Sequence, residues 1–297
     1  MRPAGVKKER SFQTSVGSLV SLFLRQCELK GLSPRTVKIY REKLKMFLTF
    51  LDGKKLEEFD PFDYISWLGK TNSPESINIY LRHLKVFFRW ANSQGFLKSN
   101  PLEGIPYVKV PKKLFPTLTP TALQDLLDVA KKLERNSQRN QAILLLLIDV
   151  ALRPGELLSL TLKDFQGDYI RVRGKTGERM LPLSQVTKRA IQAYLKKRKA
   201  PPLEDALFTT SDGRPLTYCA LRSIMRFLKR RCKVGRLYPY LFRHTSATSY
   251  LQNGADLETV RRLLGHTSYA VTQRYLSLTQ NDLARAQRKA SPVNKLR

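Results

Sequence analysis

The sequence has few of the residues from which metal and redox sites are built. Only three cysteines and three histidines occur in 297 residues. Cys27, Cys219 and Cys232 are widely separated, and none belongs to a CxxC pair. An odd number of scattered cysteines argues against a disulfide framework and against a zinc site. We therefore expect no zinc site and no metal site built on clustered histidines.

Long apolar runs are also missing. The longest apolar stretch, from Ala142 to Ile148, ends at Asp149 and is far shorter than the roughly 20 residues that a membrane-spanning helix needs. Residues 1–18 contain no apolar segment of the kind found in secretory signals. From these absences we expect a cytoplasmic protein that does not associate with a membrane.

Acidic residues are too few to balance the basic ones. The chain has 54 Lys and Arg against 24 Asp and Glu, which gives a formal net charge of +30. Self-repulsion of this size opposes a compact fold unless a polyanion offsets it. The excess is +9 in residues 1–110 and +21 in residues 111–297. Because both halves are basic, we expect both to face the same polyanion, as a two-domain clamp.

Helical patterns fill residues 12–105. Apolar residues recur at helical spacing in four segments that cover about 12–29, 33–51, 61–68 and 73–92. Ser33-Pro34 and Ser73-Pro74 are typical helix starts, with serine as the N-cap and proline in the first turn. We predict a helical N-terminal domain over residues 12–105, a flexible basic arm over residues 1–11 and a proline- and lysine-rich linker over residues 106–116.

Residues 117–297 are predicted to form a second domain, with a C-terminal tail over residues 276–297. Its core is expected to centre on an apolar helix from Asn140 to about Leu152. Alternating residues on either side of the tip 174–177 predict a β-hairpin. The predicted fold class is mainly α with a small antiparallel β-sheet in the C-terminal domain. The other predicted helices cover about 119–133, 187–199, 217–233, 241–253, 257–264, 268–278 and 281–288.

Two basic residues of this domain are suited to holding an anion. Arg153 follows the apolar helix and needs an anionic partner if it is buried; a structural ion pair with Glu156 or Asp149 would also satisfy it. Lys175 lies at the hairpin tip, where a lysine can enter a groove or remain solvated.

The other candidates lie near the end of the chain. Arg243-His244 lies near the start of an otherwise apolar helix. His266, the last residue of Leu264-Gly265-His266, precedes Tyr275 by nine residues. On one continuous helix His266 and Tyr275 would point in opposite directions. A helix that ends at Gly265, followed by a new one capped by Thr267 or Ser268, would let both side chains reach one site.

Taken in order, these motifs resemble those of the tyrosine recombinases, the phage integrase family, and the length is similar to that of its compact Xer-type members. Ser33-Pro34-Arg35-Thr36 and the helical unit over 12–105 resemble the family's N-terminal core-binding, SAM-like domain. Residues 117–297 resemble its catalytic domain. Ala151 departs from the pattern, since the family usually has glycine there. The motifs that carry the resemblance are Arg153 with Glu156, Gly174-Lys175, Arg243-His244, Leu264-Gly265-His266 and Tyr275.

The resemblance implies a site-specific recombinase that cleaves and rejoins duplex DNA through a covalent 3′-phosphotyrosine, in integration, excision or dimer resolution. Tyr275 would be the nucleophile. Arg153, Arg243 and His266 would donate hydrogen bonds to the scissile phosphate, and Lys175 would protonate the departing 5′-oxygen. The resemblance implies no metal and no cofactor. The implied partner is double-stranded DNA, bound by a homo-tetramer on paired sites or by a hetero-tetramer with a paralogue.

One catalytic position departs from the family. Tyr240 stands three residues before Arg243, where the family usually has histidine, and a phenol with a pKa near ~10 is a poor base at neutral pH. We expect cleavage to survive, with the proton taken by another group or by water; a weakened or inactive member is the alternative. Glu156 is expected to orient Arg153 or His266, and His244 to support the site from its helix rather than to act in catalysis.

Several other basic residues are expected to contact DNA phosphates. Two other functions share the implied chemistry or fold: a type IB topoisomerase-like enzyme, and a DNA-binding regulator that has lost its activity. The tail is expected to pack on a neighbouring subunit or to dock within its own chain. The candidate phosphate contacts are Arg35, Lys38, Arg82, Lys85, Arg89, Lys112, Lys113 and Arg173.

Overall fold

A computed structural model describes residues 15–111, 116–174, 177–198, 205–232, 234–278 and 291. The predicted arm over 1–11, the predicted helix over 281–288, most of the tail, and Lys112, Lys113 and Lys175 lie outside these ranges. The chain divides into two compact units, residues 1–112 and 113–297. Each unit has its own hydrophobic core.

The first unit is helical. Its helices are α1 (Val16–Leu29), α2 (Pro34–Leu51), α3 (Pro61–Gly69) and α4 (Pro74–Ser93), with a short 3₁₀ helix at Leu56–Glu58. Helices α2, α3 and α4 begin with proline directly after a side-chain cap. The caps are Ser33, Asp60 and Ser73, whose side-chain oxygens accept hydrogen bonds from backbone N–H groups of the first turn.

Aromatic side chains fill the core of this unit. Phe47, Phe87 and Phe88 have no exposed surface, and Phe47 makes edge contacts with the rings of Phe59 and Tyr64. Offset and edge-on ring pairs of this kind stabilise a core beyond the area they bury. The predicted helical unit is therefore built on α1, α2 and α4, with α3 packed against α4.

The second unit is mainly helical with one small sheet, as predicted. Its sheet consists of β1 (Phe165–Gln166), β2 (Tyr169–Gly174) and β3 (Gly177–Pro182). The strands are antiparallel and lie in that order, and β2 pairs with β3 from Tyr169 opposite Pro182 to Gly174 opposite Gly177. Short 3₁₀ helices cover Leu162–Asp164 and Gln273–Leu278. The α-helices are α5 (Pro120–Lys131), α6 (Ser137–Asp149), α7 (Pro154–Leu158), α8 (Gln185–Lys197), α9 (Tyr218–Arg231), α10 (Pro239–Gln252), α11 (Leu257–Leu264) and α12 (Tyr269–Thr272).

Helix α6 is the centre of the second core. It packs against α5, α8 and α10, and Ile143, Leu144, Leu146 and Leu147 are completely buried. The prediction of a central apolar helix is confirmed, but its predicted end at Leu152 is wrong. The helix ends at Asp149 and cannot continue to Leu152, because Ala151 has a left-handed φ of +52°. Arg153, which directly precedes Pro154, is extended, as expected for a residue before proline.

Two other elements differ from the prediction. Residues 268–278 do not form one helix: α12 ends at Thr272 and a 3₁₀ helix follows from Gln273. Helix α7 and the short strand β1 were not predicted. Both have five residues or fewer, which is too short for apolar periodicity to indicate them.

A third, smaller apolar cluster joins the turn after α6 to α10, α11 and the last 3₁₀ helix. It consists of Ala151, Ala247, Leu251, Val260, Leu264 and Tyr275. Ala151 has a φ of +52°, a conformation that glycine adopts more readily. The glycine that the family usually has at this position would fit the turn without strain. This turn places Arg153 at the start of α7.

The described residues also bear on membrane association. Within the ranges given above, no helix combines the length and the apolar character that a membrane span requires.

Candidate active site

A cavity of about 380 Å³ opens between α10, the turn after α11 and the last 3₁₀ helix. It brings together residues that are more than 100 positions apart in the chain. Three of its lining residues are arginines, and among the described residues that line it none is acidic. The lining residues are Arg153, Tyr240, Arg243, His244, Gly265, His266, Thr267, Val271, Arg274 and Tyr275.

Arg243 is the most deeply buried charge of the cavity. Only 3% of it is exposed, and α10 aims its guanidinium at the ends of two other elements. Nη1 donates to the carbonyl oxygen of Ala151 at 2.8 Å, and Nη2 donates to that of Leu264 at 2.6 Å. Burial, followed by the charge of Arg153, lowers the pKa of Arg243 to about 10. The group stays charged at neutral pH and is held in a fixed orientation.

Arg153 lies at the N-cap of α7 with an extended backbone. Nη1 donates to Oε1 of Glu156 at 2.8 Å, and Nη2 donates to the carbonyl oxygen of Gly265 at 3.1 Å. The structural ion pair that the sequence left open is therefore present. It does not remove Arg153 from the cavity, because 29% of the side chain is exposed and lines it.

Glu156 is buried and accepts hydrogen bonds from two arginines. Besides Arg153 it binds Arg179 of β3, whose Nη1 and Nη2 donate to Oε1 and Oε2 at 3.1 and 3.0 Å. Burial raises the pKa of Glu156, but the hydrogen bonds and charges of Arg179 and Arg153 outweigh it and hold the pKa below its ordinary value. The end of β2 lies close to this carboxylate: a Cβ added to Gly174 would be 2.9 Å from Oε1 of Glu156.

Arg179 is a site residue that the sequence motifs did not indicate. Its side chain is 14% exposed, and its Nε donates to the carbonyl oxygen of Leu263 at 3.1 Å. One weak signal existed: in a strand whose side chains alternate between faces, Arg179 shares a face with the buried Leu181. A cation on the inward face of a strand needs a buried acid, and here that acid is Glu156.

His266 follows the end of α11. Gly265, with a φ of 61°, caps that helix, and Ser268 caps α12, which confirms the predicted break. Nε2 of His266 lies 3.1 Å from Nη2 of Arg243, and Nδ1 lies 2.9 Å from Oγ1 of Thr272. Burial, followed by the charges of Arg243, Arg153 and Arg179, lowers the pKa of His266 to about 4. The ring is therefore neutral at pH 7, with a proton on Nδ1 and an acceptor at Nε2.

Tyr275 is 3% exposed and packs in the third apolar cluster. Its hydroxyl oxygen lies 2.9 Å from Nδ1 of His244. Burial raises the pKa of Tyr275, while the charges of Arg243, Arg153 and Arg274 oppose that rise without cancelling it. The contact between His244 and Tyr275 was not foreseen from the sequence, because the two residues are 31 positions apart and no local pattern links them.

The remaining site predictions fall in different places. Tyr240 lies in the first turn of α10, lines the cavity and is 44% exposed. Lys175 lies outside the described residues. The structure therefore brings together Arg153, Tyr240, Arg243, His266 and Tyr275, with Glu156 and His244 in direct contact with members of this set.

The predicted phosphate contacts that the structure describes are mostly exposed. Arg35 and Lys38 lie on α2, and Arg82 and Arg89 lie on α4, all with exposed side chains. Two others are engaged within the fold. Nζ of Lys85 donates to the carbonyl oxygen of Ile105 and lies 4.9 Å from the ring centroid of Tyr107. Arg173 pairs with Asp164 and Glu178, although 53% of its side chain is exposed.

Comparison with known proteins agrees with this geometry. Residues 116–282 match the phage integrase family, and residues 19–95 match the phage integrase N-terminal SAM-like domain. Tyrosine recombinase XerC of Oceanobacillus iheyensis is 31% identical over 280 residues, which cover 89% of this chain and 92% of the relative. XerC of Myxococcus xanthus is 32% identical over 303 residues, which cover 94% and 99%.

Solved structures share the fold. The XerA recombinase is 27% identical with a TM-score of 0.53, over 93% of this chain and 99% of that one. The Tn1549 transposon integrase, solved in complex with transposon right end DNA, is 23% identical with a TM-score of 0.72, over 92% and 99%.

The chain belongs to the phage integrase family. Among its relatives it falls with the Xer-type tyrosine recombinases, at about 30% identity over most of its length. Site-specific tyrosine recombination, by an enzyme that breaks and rejoins DNA, is the activity that these relatives support. The topoisomerase and the inactive regulator are not favoured.

Proposed function

We propose that this recombinase cleaves one strand of a specific duplex site with the Tyr275 hydroxyl and holds the strand as a 3′-phosphotyrosine. The observation that carries this proposal is the position of the buried tyrosine at one wall of a cavity that also contains Arg153, Arg243 and His266. When the Tyr275 oxygen bonds to phosphorus, the bond to the 5′-oxygen breaks. The energy of the phosphodiester is retained in the new ester, so rejoining needs no nucleotide.

The scissile phosphate would bind between the two arginines. A guanidinium offers planar paired donors that match phosphate oxygens and keep their charge. The fixed hydrogen bonds of Arg243 to Ala151 and Leu264 support its role as a donor placed in advance of the reaction. Donors of this kind are worth most when they need no reorganisation as charge develops.

His266 and Lys175 would complete the chemistry. In the free protein Nε2 of His266 faces Arg243 as an acceptor. A bound phosphate diester would draw that guanidinium and favour the protonated ring, which could then donate to the phosphate. We assign Lys175, which follows Gly174 in the sequence, the protonation of the 5′-oxygen, as the family resemblance implies. No step requires a metal.

The two compact units would clamp the duplex. In this proposal residues 12–105 are the core-binding domain, 106–116 the linker and 117–297 the catalytic domain, with the arm over 1–11 and the tail over 276–297 as appendages. The net charge of +30 and relatives solved in complex with DNA support duplex DNA as the partner. We propose a tetramer on paired sites, of this chain alone or with a paralogue, acting in the cytoplasm.

A covalent capture experiment tests the proposal without knowledge of the target. The protein is incubated with a library of random duplexes, each with a nick that lets the leaving strand diffuse away. Adducts that survive denaturant are isolated and their DNA is sequenced. We expect one enriched sequence, and no adduct with Tyr275→Phe.

The matched control is Tyr269→Phe, which removes the hydroxyl of an exposed tyrosine on the neighbouring helix and should leave the adduct in place. Equal adduct from Tyr275→Phe and wild type would refute the assignment of the nucleophile. Relaxation of supercoiled plasmids without the enriched sequence would instead favour the topoisomerase alternative.

A further inference from the structure

The nucleophile must lose a proton, and the site has to supply an acceptor. Tyr275 is 3% exposed, so bulk water has little access to its hydroxyl. Burial raises the pKa of Tyr275, and the hydroxyl is therefore protonated at neutral pH. The attack on phosphorus is accelerated only if a nearby group accepts this proton as the new bond forms.

Most of the polar groups around the cavity are unsuited to that task. Arg153, Arg243 and Arg274 carry no lone pair that could accept a proton. Both ring nitrogens of His266 already have partners, Arg243 and Thr272. The carboxylate of Glu156 is held by two arginines. Tyr240 carries a phenol, which is a poor base at neutral pH.

His244 has the required geometry. Its Nδ1 lies 2.9 Å from the Tyr275 oxygen, within the range of direct proton transfer. The residue is at the middle of α10, one position after Arg243, and the last 3₁₀ helix packs on this helix. A neutral imidazole that carries its proton on Nε2 presents a lone pair at Nδ1 to the Tyr275 hydroxyl.

We propose that His244 is the general base of strand cleavage in this chain, and this inference rests on the assignment of Tyr275 as nucleophile. As the bond between the Tyr275 oxygen and phosphorus forms, the hydroxyl proton moves to Nδ1. The bond to the 5′-oxygen breaks at the same time, and that oxygen receives its proton from a separate donor. In rejoining, the 5′-hydroxyl attacks phosphorus and returns its proton to the separate donor. The bond between phosphorus and the Tyr275 oxygen breaks, and the imidazolium returns its proton to that oxygen.

The charges around His244 agree with this role. Burial, followed by the charge of Arg243, lowers the pKa of His244. Arg243 contributes this charge from the same helix, and Tyr275 from the last 3₁₀ helix faces the ring. The imidazole is therefore neutral before the reaction and free of the proton that would block it. The reaction therefore has a base even though Tyr240 replaces the usual histidine. That base, His244, lies four residues further along the same helix.

The experiment measures the single-turnover rate of adduct formation on the captured nicked site, with protein in excess so that DNA affinity does not limit the rate. His244→Ala removes the base and leaves space for a small molecule. We expect its rate to fall by about 10²- to 10⁴-fold and to recover in part when imidazole is added. His244→Gln keeps a hydrogen-bonding side chain that cannot accept the proton, and we expect it to be as slow as His244→Ala without imidazole.

His83→Ala is the matched histidine control in the other compact unit, where Nδ1 of His83 lies 2.7 Å from the carbonyl oxygen of Ile79. Its rate and its response to imidazole should equal those of wild type. Thermal unfolding and DNA binding of all variants establish that they are folded. Tyr240→Phe is measured alongside, since a loss confined to that variant would make Tyr240 the base.

The outcomes separate the two proposals. If wild type forms no adduct on any sequence, the recombinase site assignment fails. If wild type reacts and His244→Ala reacts equally fast, the nucleophile stands and the base is wrong. A His244→Gln variant as fast as wild type, or a slow His244→Ala variant that imidazole does not accelerate, would make His244 a positioning residue and overturn the inference.

Discussion

Arg179 and Glu156 form a paired hydrogen bond that joins the sheet to α7, the helix that begins after Arg153. The two guanidinium nitrogens lie 3.1 and 3.0 Å from the two carboxylate oxygens. Through the same carboxylate Arg153 is held at 2.8 Å. One buried acid therefore balances part of the charge of a site that otherwise gathers cations, and the orientation of Arg153 depends on it.

The first prediction concerns this acid. Glu156→Gln keeps the size of the side chain but removes its charge, which leaves Arg153 and Arg179 without a counterion. Removal of one partner from a buried ion pair costs about 3 to 5 kcal/mol, so we expect a loss of that order in the free energy of unfolding in urea, together with slower adduct formation. Glu178→Gln is the control, since its side chain is 49% exposed and should change stability by less than about 1 kcal/mol. Equal losses in the two variants would contradict the role of Glu156.

The second prediction concerns the phosphate donors. Arg153→Ala and Arg243→Ala should each slow adduct formation by at least about 10²-fold, because a donor placed for the transition state is lost. DNA affinity should change little, since one cation is a small part of a net charge of +30 and contacts to the DNA backbone are shared among many basic residues. The measurements are single-turnover adduct formation and a gel-shift titration. Arg262→Ala removes a guanidinium whose side chain is 77% exposed and should affect neither. Full cleavage by either cavity variant would exclude its assigned role.

The third prediction concerns Gly265. A Cβ added there would lie 2.9 Å from Nη1 of Arg179, and Arg179 cannot easily move because Glu156 and Leu263 hold it. Gly265→Ala should therefore destabilise the protein by about 1 to 3 kcal/mol more than Gly167→Ala. Gly167 has a similar φ of +71° and no atom within 4 Å of the added Cβ, so it reports the backbone cost alone. Urea unfolding of both variants measures the difference. Equal losses in the free energy of unfolding would show that the Arg179 side chain moves aside at no cost.

The fourth prediction concerns pH. The folded-state pKa of His266 is about 4, whereas an unfolded histidine titrates near ~6.5. Between these values the unfolded chain binds a proton that the folded chain does not, so the free energy of unfolding should decrease as the pH falls from about 6.5 to 4. The contribution is on the order of 3 kcal/mol, from about 1.4 kcal/mol for each pH unit between the two values. His244, whose pKa is also lowered, contributes in the same direction.

His266→Gln isolates the contribution of one ring. Urea unfolding of wild type and variant at several pH values should show a weaker dependence for the variant between pH 6.5 and 4. Parallel curves would mean that His266 does not titrate with a lowered pKa.

The fifth prediction concerns backbone contacts of the first unit. Arg82→Gln and Arg89→Gln each remove an exposed cation from α4. If each contacts a phosphate, the slope of log affinity against log salt concentration should decrease in magnitude by about 1 per variant. Arg41→Gln is the control, because Arg41 pairs with Glu28 on the neighbouring helix and is not among the predicted contacts. Unchanged slopes would remove Arg82 and Arg89 from the DNA interface.

Features set within a few residues of the chain could be predicted from the sequence. The caps Ser33, Ser73 and Thr119 each precede a proline and each start a helix, because an N-cap side chain bonds to a backbone group only two or three residues away. The break between Gly265 and Ser268 was predicted for the same reason. The ordered motifs also identified most residues that line the cavity.

Only the tertiary structure decided which of these residues touch. Arg179 reaches Glu156 across 23 positions, and His244 reaches Tyr275 across 31. The first contact depends on the packing of the sheet against α7 by way of β2, and the second on the packing of the last 3₁₀ helix on α10. Neither contact has a local pattern, because each depends on side chains that distant elements bring into a shared buried space. The sequence by itself thus determined the family, most of the helices and most of the residues that line the cavity. The packing decided how Arg153 is oriented and which side chain lies within hydrogen-bond distance of the Tyr275 hydroxyl.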